Sequence, residues 1–315
     1  MKSFFDNELI SHIVLEFKHG KISVNNLNEV RHVVPNIDYI VNKFYNIVKK
    51  QILDTEENKR NTEAIYTNKE IKIENCFLNN FTLKLNLIYG KNMKNYGGKI
   101  NPISSFKKDL NGKISFEPKI EITIESNDFY DFIKKFGFCL SHELTHAYDY
   151  YQYFVKHGFP ESINDILKYG KSRHVDAMMG QFNTQRAIGG VFYGLSRKEL
   201  NANLGQLRQE LINNNPEKII DSKSAFAAVK RTESYQVNFL NLEKNINIIM
   251  SINDENKQKE IIKLTNSIGG KKFTTYNQVK KFYYGLWFKY SSSYLTKASK
   301  IVHDVFDEYG PYWEK

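Results

Sequence analysis

"CLSHELTHAYDYY", residues 139–151, sets two histidines four positions apart with a glutamate directly after the first. His142-Glu143-Leu144-Thr145-His146 fits the pattern H-E-x-x-H. At about 100° per residue on a helix, His146 lies about 40° round from His142 and one turn along. Both imidazoles then face one side and can share a metal ion. Glu143 sits about 100° from His142, at the edge of that side, where a carboxylate reaches a water on the metal without binding the metal itself. An ordinary amphipathic helix is the competing reading, and the same helical wheel tests it. Ile133, Phe136, Leu140, Leu144, Ala147 and Tyr151 cluster within about 80° of one another, opposite His142. A core-facing stripe therefore accounts for the leucines and leaves the histidines unexplained.

Working outward along this helix, Asp149 is three positions after His146 on the histidine side. It suits an acceptor that fixes the tautomer of a ligand histidine; a surface aspartate is the plainer alternative. Cys139, one turn before Glu143, reads as a small buried thiol rather than a fourth ligand. A catalytic zinc site needs a third protein ligand. The extended pattern HExxHxxGxxH is absent, because Asp149 and Gln152 stand at its Gly and final His positions. The first choice is Glu199 in "SRKELNANL", at the start of a later helix and about 100° off its leucine stripe. Ser196-x-x-Glu199 is also a capping box, which would use Glu199 to cap its own helix. Glu210 and His174 stay open as alternatives, with His157 a further histidine in the same stretch. An oxyanion needs a donor. Tyr193, six before Glu199, is a candidate, in competition with Tyr148 and Tyr150.

The rest of the 315-residue chain supplies the frame. "FTLKLNLIYG" alternates Leu83, Leu85 and Leu87 with polar partners, and "PKIEITIES" does the same with Ile120, Ile122 and Ile124. Both read as half-buried strands. Gly97-Gly98 and Asn111-Gly112 between them read as turns. Helical spacing covers residues 26–53, about 128–155, and a segment with Leu200, Leu204, Leu207 and Leu211 on one stripe. "NNNPE" at 213–217 is a break, and the remainder to about 308 is helical. The order of helices, clustered strands and helices predicts an α+β fold. The expected regions are a mainly helical 1–75, a catalytic 76–212 and a helical 213–315.

Net charge is +10 and the pI about 9.2. The lysines are scattered among Asn and Ile, with no Arg-rich stripe and no nucleic-acid motif, so nucleic acid is not the expected partner. The two cysteines, Cys76 and Cys139, form no disulfide framework or CxxC site. Asp6 and Glu8 interrupt the N-terminal apolar stretch, which argues against a secretory signal. No apolar run is long enough for a transmembrane span. The expectation is a soluble chain, cytoplasmic as synthesised.

"HELTHAYD" together with the later Glu199-x-x-Ala202 resembles the gluzincin branch of zinc metallopeptidases. The nearest patterns are the lethal-factor-type toxins and the mitochondrial intermembrane-space peptidase that processes an ATP synthase subunit. Both have an Asp three after the second His and a later Glu-x-x-Ala. The toxin type also has a Tyr-Gly before its Glu; the counterpart here is Tyr193-Gly194, one residue closer. The resemblance spans residues 80–212. It implies a zincin-like core, with a small mixed sheet packed on the HExxH helix. It also implies Zn2+ held by His142, His146 and Glu199, Glu143 as general base, Tyr193 at the oxyanion, and a protein or peptide substrate. The strand 119–125 would then be the edge strand that an extended peptide pairs with. Small zincins also occur among bacteriophage and mobile-element genes, which the Lys/Asn-rich composition suits. Two competing functions follow. One is a virion-associated structural or packaged phage protein that retains the fold and assembles through its helical flanks. The other is a peptidoglycan-cleaving hydrolase, which the basic charge suits but which needs another export route.

Overall fold

The computed structural model describes residues 37–67, 81–90, 96–157, 183–213 and 222–313, apart from positions 102, 113, 196 and 270. It is a mixed α+β structure in two compact units. The described residues up to 157 form one unit, and those from 183 onward form the other.

The first unit is built on the alternation read above. Helix α1 (Ile37–Asn58) leads into strand β1 (Thr62–Thr67), followed by β2 (Thr82–Tyr89) and β3 (Tyr96–Ile100). A short hairpin, β4 (Phe106–Lys108) and β5 (Ile114–Phe116), precedes β6 (Lys119–Ser126) and helix α2 (Phe129–His157). The four-stranded sheet has the order β1-β2-β6-β3, with β2 and β6 parallel and both outer strands antiparallel to their neighbours. Register sets Leu83 opposite Ile120, Leu85 opposite Ile122 and Leu87 opposite Ile124. These three pairs share one buried face, as the period of two requires. Helices α1 and α2 complete that core with Ile40, Phe44, Val48, Phe136, Leu140 and Leu144. Burying each such side chain contributes about 1.5–3 kcal/mol.

Two expectations are corrected here. Strand 119–125 is not an edge: β6 lies between β2 and β3, and among the described residues β1 and β3 are the edges. Gly97-Gly98 is not a turn but the middle of β3, and at Gly98 a helix side chain fills the space a Cβ would take. The Asn111-Gly112 turn holds. Gly112 has φ 81°, in the left-handed region, and Asn111 N–H donates to Asp109 Oδ1 at 2.9 Å.

The second unit is helical among its described residues: α3 (Asn183–Gly194), α4 (Arg197–Asn213), α5 (Ser222–Lys230), a π-helical turn (Ser234–Phe239), α6 (Leu240–Met250), α7 (Glu255–Gly269) and α8 (Tyr276–Trp313). The leucine stripe of α4 is buried as expected. Its partner is an aromatic seam on α8, where Tyr283, Trp287, Tyr290 and Tyr294 recur at three- and four-residue spacing in one core. No helix among the described residues is long and apolar enough to cross a membrane.

Candidate metal centre

The junction between β6 and α2 fixes how the motif helix leaves the sheet. Asp128 caps α2: its carboxylate accepts from Tyr130 N–H at 3.0 Å and its carbonyl from Phe132 N–H at 2.9 Å. Ser126, the last residue of β6, donates its hydroxyl to Asp131 Oδ2 at 2.6 Å. The same oxygen receives the buried Lys135 ammonium at 2.7 Å. Asp131 also places negative charge at the helix N-terminus, which the helix dipole favours. Strand end and first helical turn are thereby tied before the motif begins three turns on.

Phe136, Leu140, Leu144 and Ala147 point into the sheet core, so the expected stripe is the real one, and Cys139 is buried with them. The rings of His142 and His146 stand side by side, centroids 4.9 Å apart and inclined at 79°. Within the motif Thr145 donates its hydroxyl to the Ser141 carbonyl at 2.9 Å, which satisfies it inside its own helix. His142, His146 and Glu199 each offer one ligand atom, and these atoms all lie within 4.8 Å of one another. Two imidazoles and one carboxylate are a donor set that suits Zn2+, whose four-coordinate catalytic sites take water as the remaining ligand.

Glu143 is only 4% exposed, and it lies against β3. A Cβ built on Gly98 would come 2.5 Å from Glu143 Cγ and 2.7 Å from its Oε1. Glu199 stands in the first turn of α4 and is 7% exposed. Its charge acts on Tyr290 of α8. Burial pushes that hydroxyl up to about 12, with the Asn203 side chain opposing and Glu199 adding to the rise.

Of the alternative ligands, Glu210 has other work. It is fully buried and accepts hydrogen bonds from Ser234 N–H at 2.9 Å, from Glu233 N–H, and from Gln206 Nε2 at 2.8 Å. It thus holds the backbone at the start of the π-helical turn. Burial pushes its carboxyl up to about 7 against those three hydrogen bonds. His174 and Ser196 lie outside the described residues, as does the side chain of His157. Asp149 is half-buried on α2 and is not among the three grouped residues. Residue 193 is in the last turn of α3; its side chain lies outside the described set. Sequence reasoning missed Gly98. The signal was present, since a glycine inside a strand marks a close approach of backbone to another group.

On the sheet face away from the core, β3 and β6 border a groove of about 320 Å³ lined by Tyr96, Gly97, Lys99, Glu121, Thr123 and Glu125. Lys99 and Glu121 pair across it at 2.7 Å, and Lys99 holds the Glu121 carboxyl below its usual range. No protein-family model matches the chain, and no match was found among curated proteins or solved structures.

Proposed function

We propose that the protein is a zinc-dependent endopeptidase of gluzincin type, with a zincin-like core formed by the mixed sheet and α2. The observation that carries the reading is the grouping of His142, His146 and Glu199, one ligand atom from each within 4.8 Å of the others. It is supported by the burial of Glu143 beside the edge strand β3. His142, His146 and Glu199 hold the metal. Zinc, when bound, supplies Lewis acidity, lowering the pKa of a water towards about 7 and polarising a carbonyl.

Glu143 takes the proton of the attacking water and delivers it to the leaving amine. Its burial keeps bulk water from competing for that proton. Asp149 orients a ligand histidine, and Tyr193 donates to the oxyanion. Strand β3, at an edge of the sheet among the described residues, is where an extended peptide adds as a further strand, in place of strand 119–125. The test is hydrolysis of a peptide library by the wild-type chain and Glu143→Gln, each with its zinc content measured. Zinc-dependent cleavage that Glu143→Gln abolishes while keeping the metal supports the reading. Cleavage that survives in Glu143→Gln, or a wild type with neither zinc nor cleavage, overturns it.

A further inference from the structure

Strand β3 carries two adjacent glycines, and they differ. A Cβ on Gly97 would meet nothing within 4 Å. A Cβ on Gly98 would collide with three atoms of one side chain, Glu143 Cγ at 2.5 Å, Oε1 at 2.7 Å and Cδ at 2.9 Å. Backbone conformation does not explain either glycine. Among the described residues Gly112 is the glycine at positive φ, and β3 pairs with β6 in regular antiparallel register. An alanine fits the β3 backbone at either position, so what distinguishes position 98 is the space its hydrogen leaves.

The colliding atoms decide the consequence. If only Oε1 were close, a small turn of the carboxylate would relieve the contact. Cγ at 2.5 Å cannot move without rotation nearer the backbone, and that rotation carries the whole carboxylate away. The other side of Glu143 is also confined, since the residue is 4% exposed.

We propose that Gly98 is a positioning residue for Glu143: by lacking a side chain it leaves the space the Glu143 side chain occupies beside β3. This rests on the reading of Glu143 as the general base. A base displaced by an ångström loses much of its effect, about 100-fold in rate, while the metal ligands, on other positions, are untouched.

The experiment compares Gly98→Ala with Gly97→Ala. The two make the same chemical change in the same strand and so share any effect on strand propensity. Gly98→Ala is expected to lower kcat about 100-fold, with KM, zinc affinity and melting temperature close to wild type. Gly97→Ala, whose Cβ meets nothing, is expected to leave the Glu143 carboxylate and the melting temperature as in the wild type. In a Glu143→Ala background Gly98→Ala should cost nothing further, because it acts through Glu143. Crystal structures of the wild type and Gly98→Ala supply a readout independent of activity, with the Glu143 carboxylate displaced by roughly 1 Å or more. Three outcomes overturn the proposal: an unmoved carboxylate in Gly98→Ala, an equal displacement in both alanine variants, or an undiminished loss in the Glu143→Ala background. A wild type that hydrolyses no peptide sinks the peptidase reading instead, and the displacement of the carboxylate still decides what Gly98 does.

Discussion

The two units bury their polar groups in different ways. In the sheet unit, chemistry and core are on separate faces. Leu140 and Leu144 look into the sheet, His142 and His146 lie off that stripe, and Glu143 stands at its border beside β3; the strands alternate as strictly. In the helical unit the two are mixed. Helix α4 buries its leucines and also Glu199, Asn203, Gln206 and Glu210. Polar side chains at that depth stay favourable only when hydrogen-bonded. Gln206 to Glu210, and Glu210 to the Ser234 backbone, meet that need for those two side chains, and Ser234 in turn donates its hydroxyl to the Asn203 backbone carbonyl at 2.7 Å. The contrast teaches that, Glu199 apart, a polar substitution on α4 is a probe of stability, whereas one in the motif of α2 is a probe of function.

The largest effect should come from Glu143. Glu143→Gln is expected to slow hydrolysis by about 10²–10⁴-fold with little change in melting temperature. Leu140→Ala, one turn away on the other face, should do the reverse, costing about 2–5 kcal/mol of stability in a denaturant titration. If Glu143→Gln unfolds the chain, the separation of faces in the sheet unit is wrong. In the helical unit Trp287→Ala should cost about 3–5 kcal/mol, since its ring packs on Phe239 at 4.9 Å and Tyr290 at 5.9 Å. Zinc content measured on the folded variant should stay at the wild-type level.

Glu210 provides the finer test. Its carboxyl titrates near 7 in the folded chain, against an ordinary 4.5. Between those values the folded chain keeps a proton that the unfolded chain has released. Its contribution to stability is therefore complete below the lower value and is lost as pH rises through about 7, by on the order of 3 kcal/mol. Thermal melts at several pH values should show that decline, and Glu210→Gln should flatten it. A decline of equal size in Glu210→Gln would mean that buried polar groups on α4 do not control the stability of this unit. The smallest expected effect is at Asp149. Asp149→Ala should weaken zinc binding by about 10–100-fold, or roughly 1.4–2.7 kcal/mol, in a chelator competition. Unchanged affinity would return it to a surface role.

Much of the sheet unit was legible because alternation separates its faces. Strands β2 and β6 and the stripe of α2 fell where the residues indicated. Strand β1 was harder to read: only Thr62, Ala64 and Tyr66 turn inward, and Ile65, its most apolar residue, is 62% exposed. Strand β3 hid behind its glycines, which usually mark turns. In the helical unit the leucines of α4 were legible, but hydrophobic spacing carries no information about which polar residues are buried beside them. The role of Glu210 depends on Glu233 and Ser234, more than twenty positions away, and no local pattern encodes that pairing. At the site, His142, Glu143 and His146 were nominated by spacing, and Glu199 by its place at the start of a later helix, off the leucine stripe. Gly98 was not, because its role is to be empty next to a residue forty-five positions later.

The central claim is that His142, His146 and Glu199 bind one zinc ion and leave Glu143 out of the ligand set. Zinc per chain, measured by elemental mass spectrometry on the purified wild type, His142→Ala, His146→Ala, Glu199→Ala and Glu143→Gln, tests it most directly. The account predicts one zinc per chain in the wild type and Glu143→Gln, none in either histidine variant, and a loss in Glu199→Ala. A wild type without stoichiometric zinc, or a full complement in the histidine variants, would contradict it.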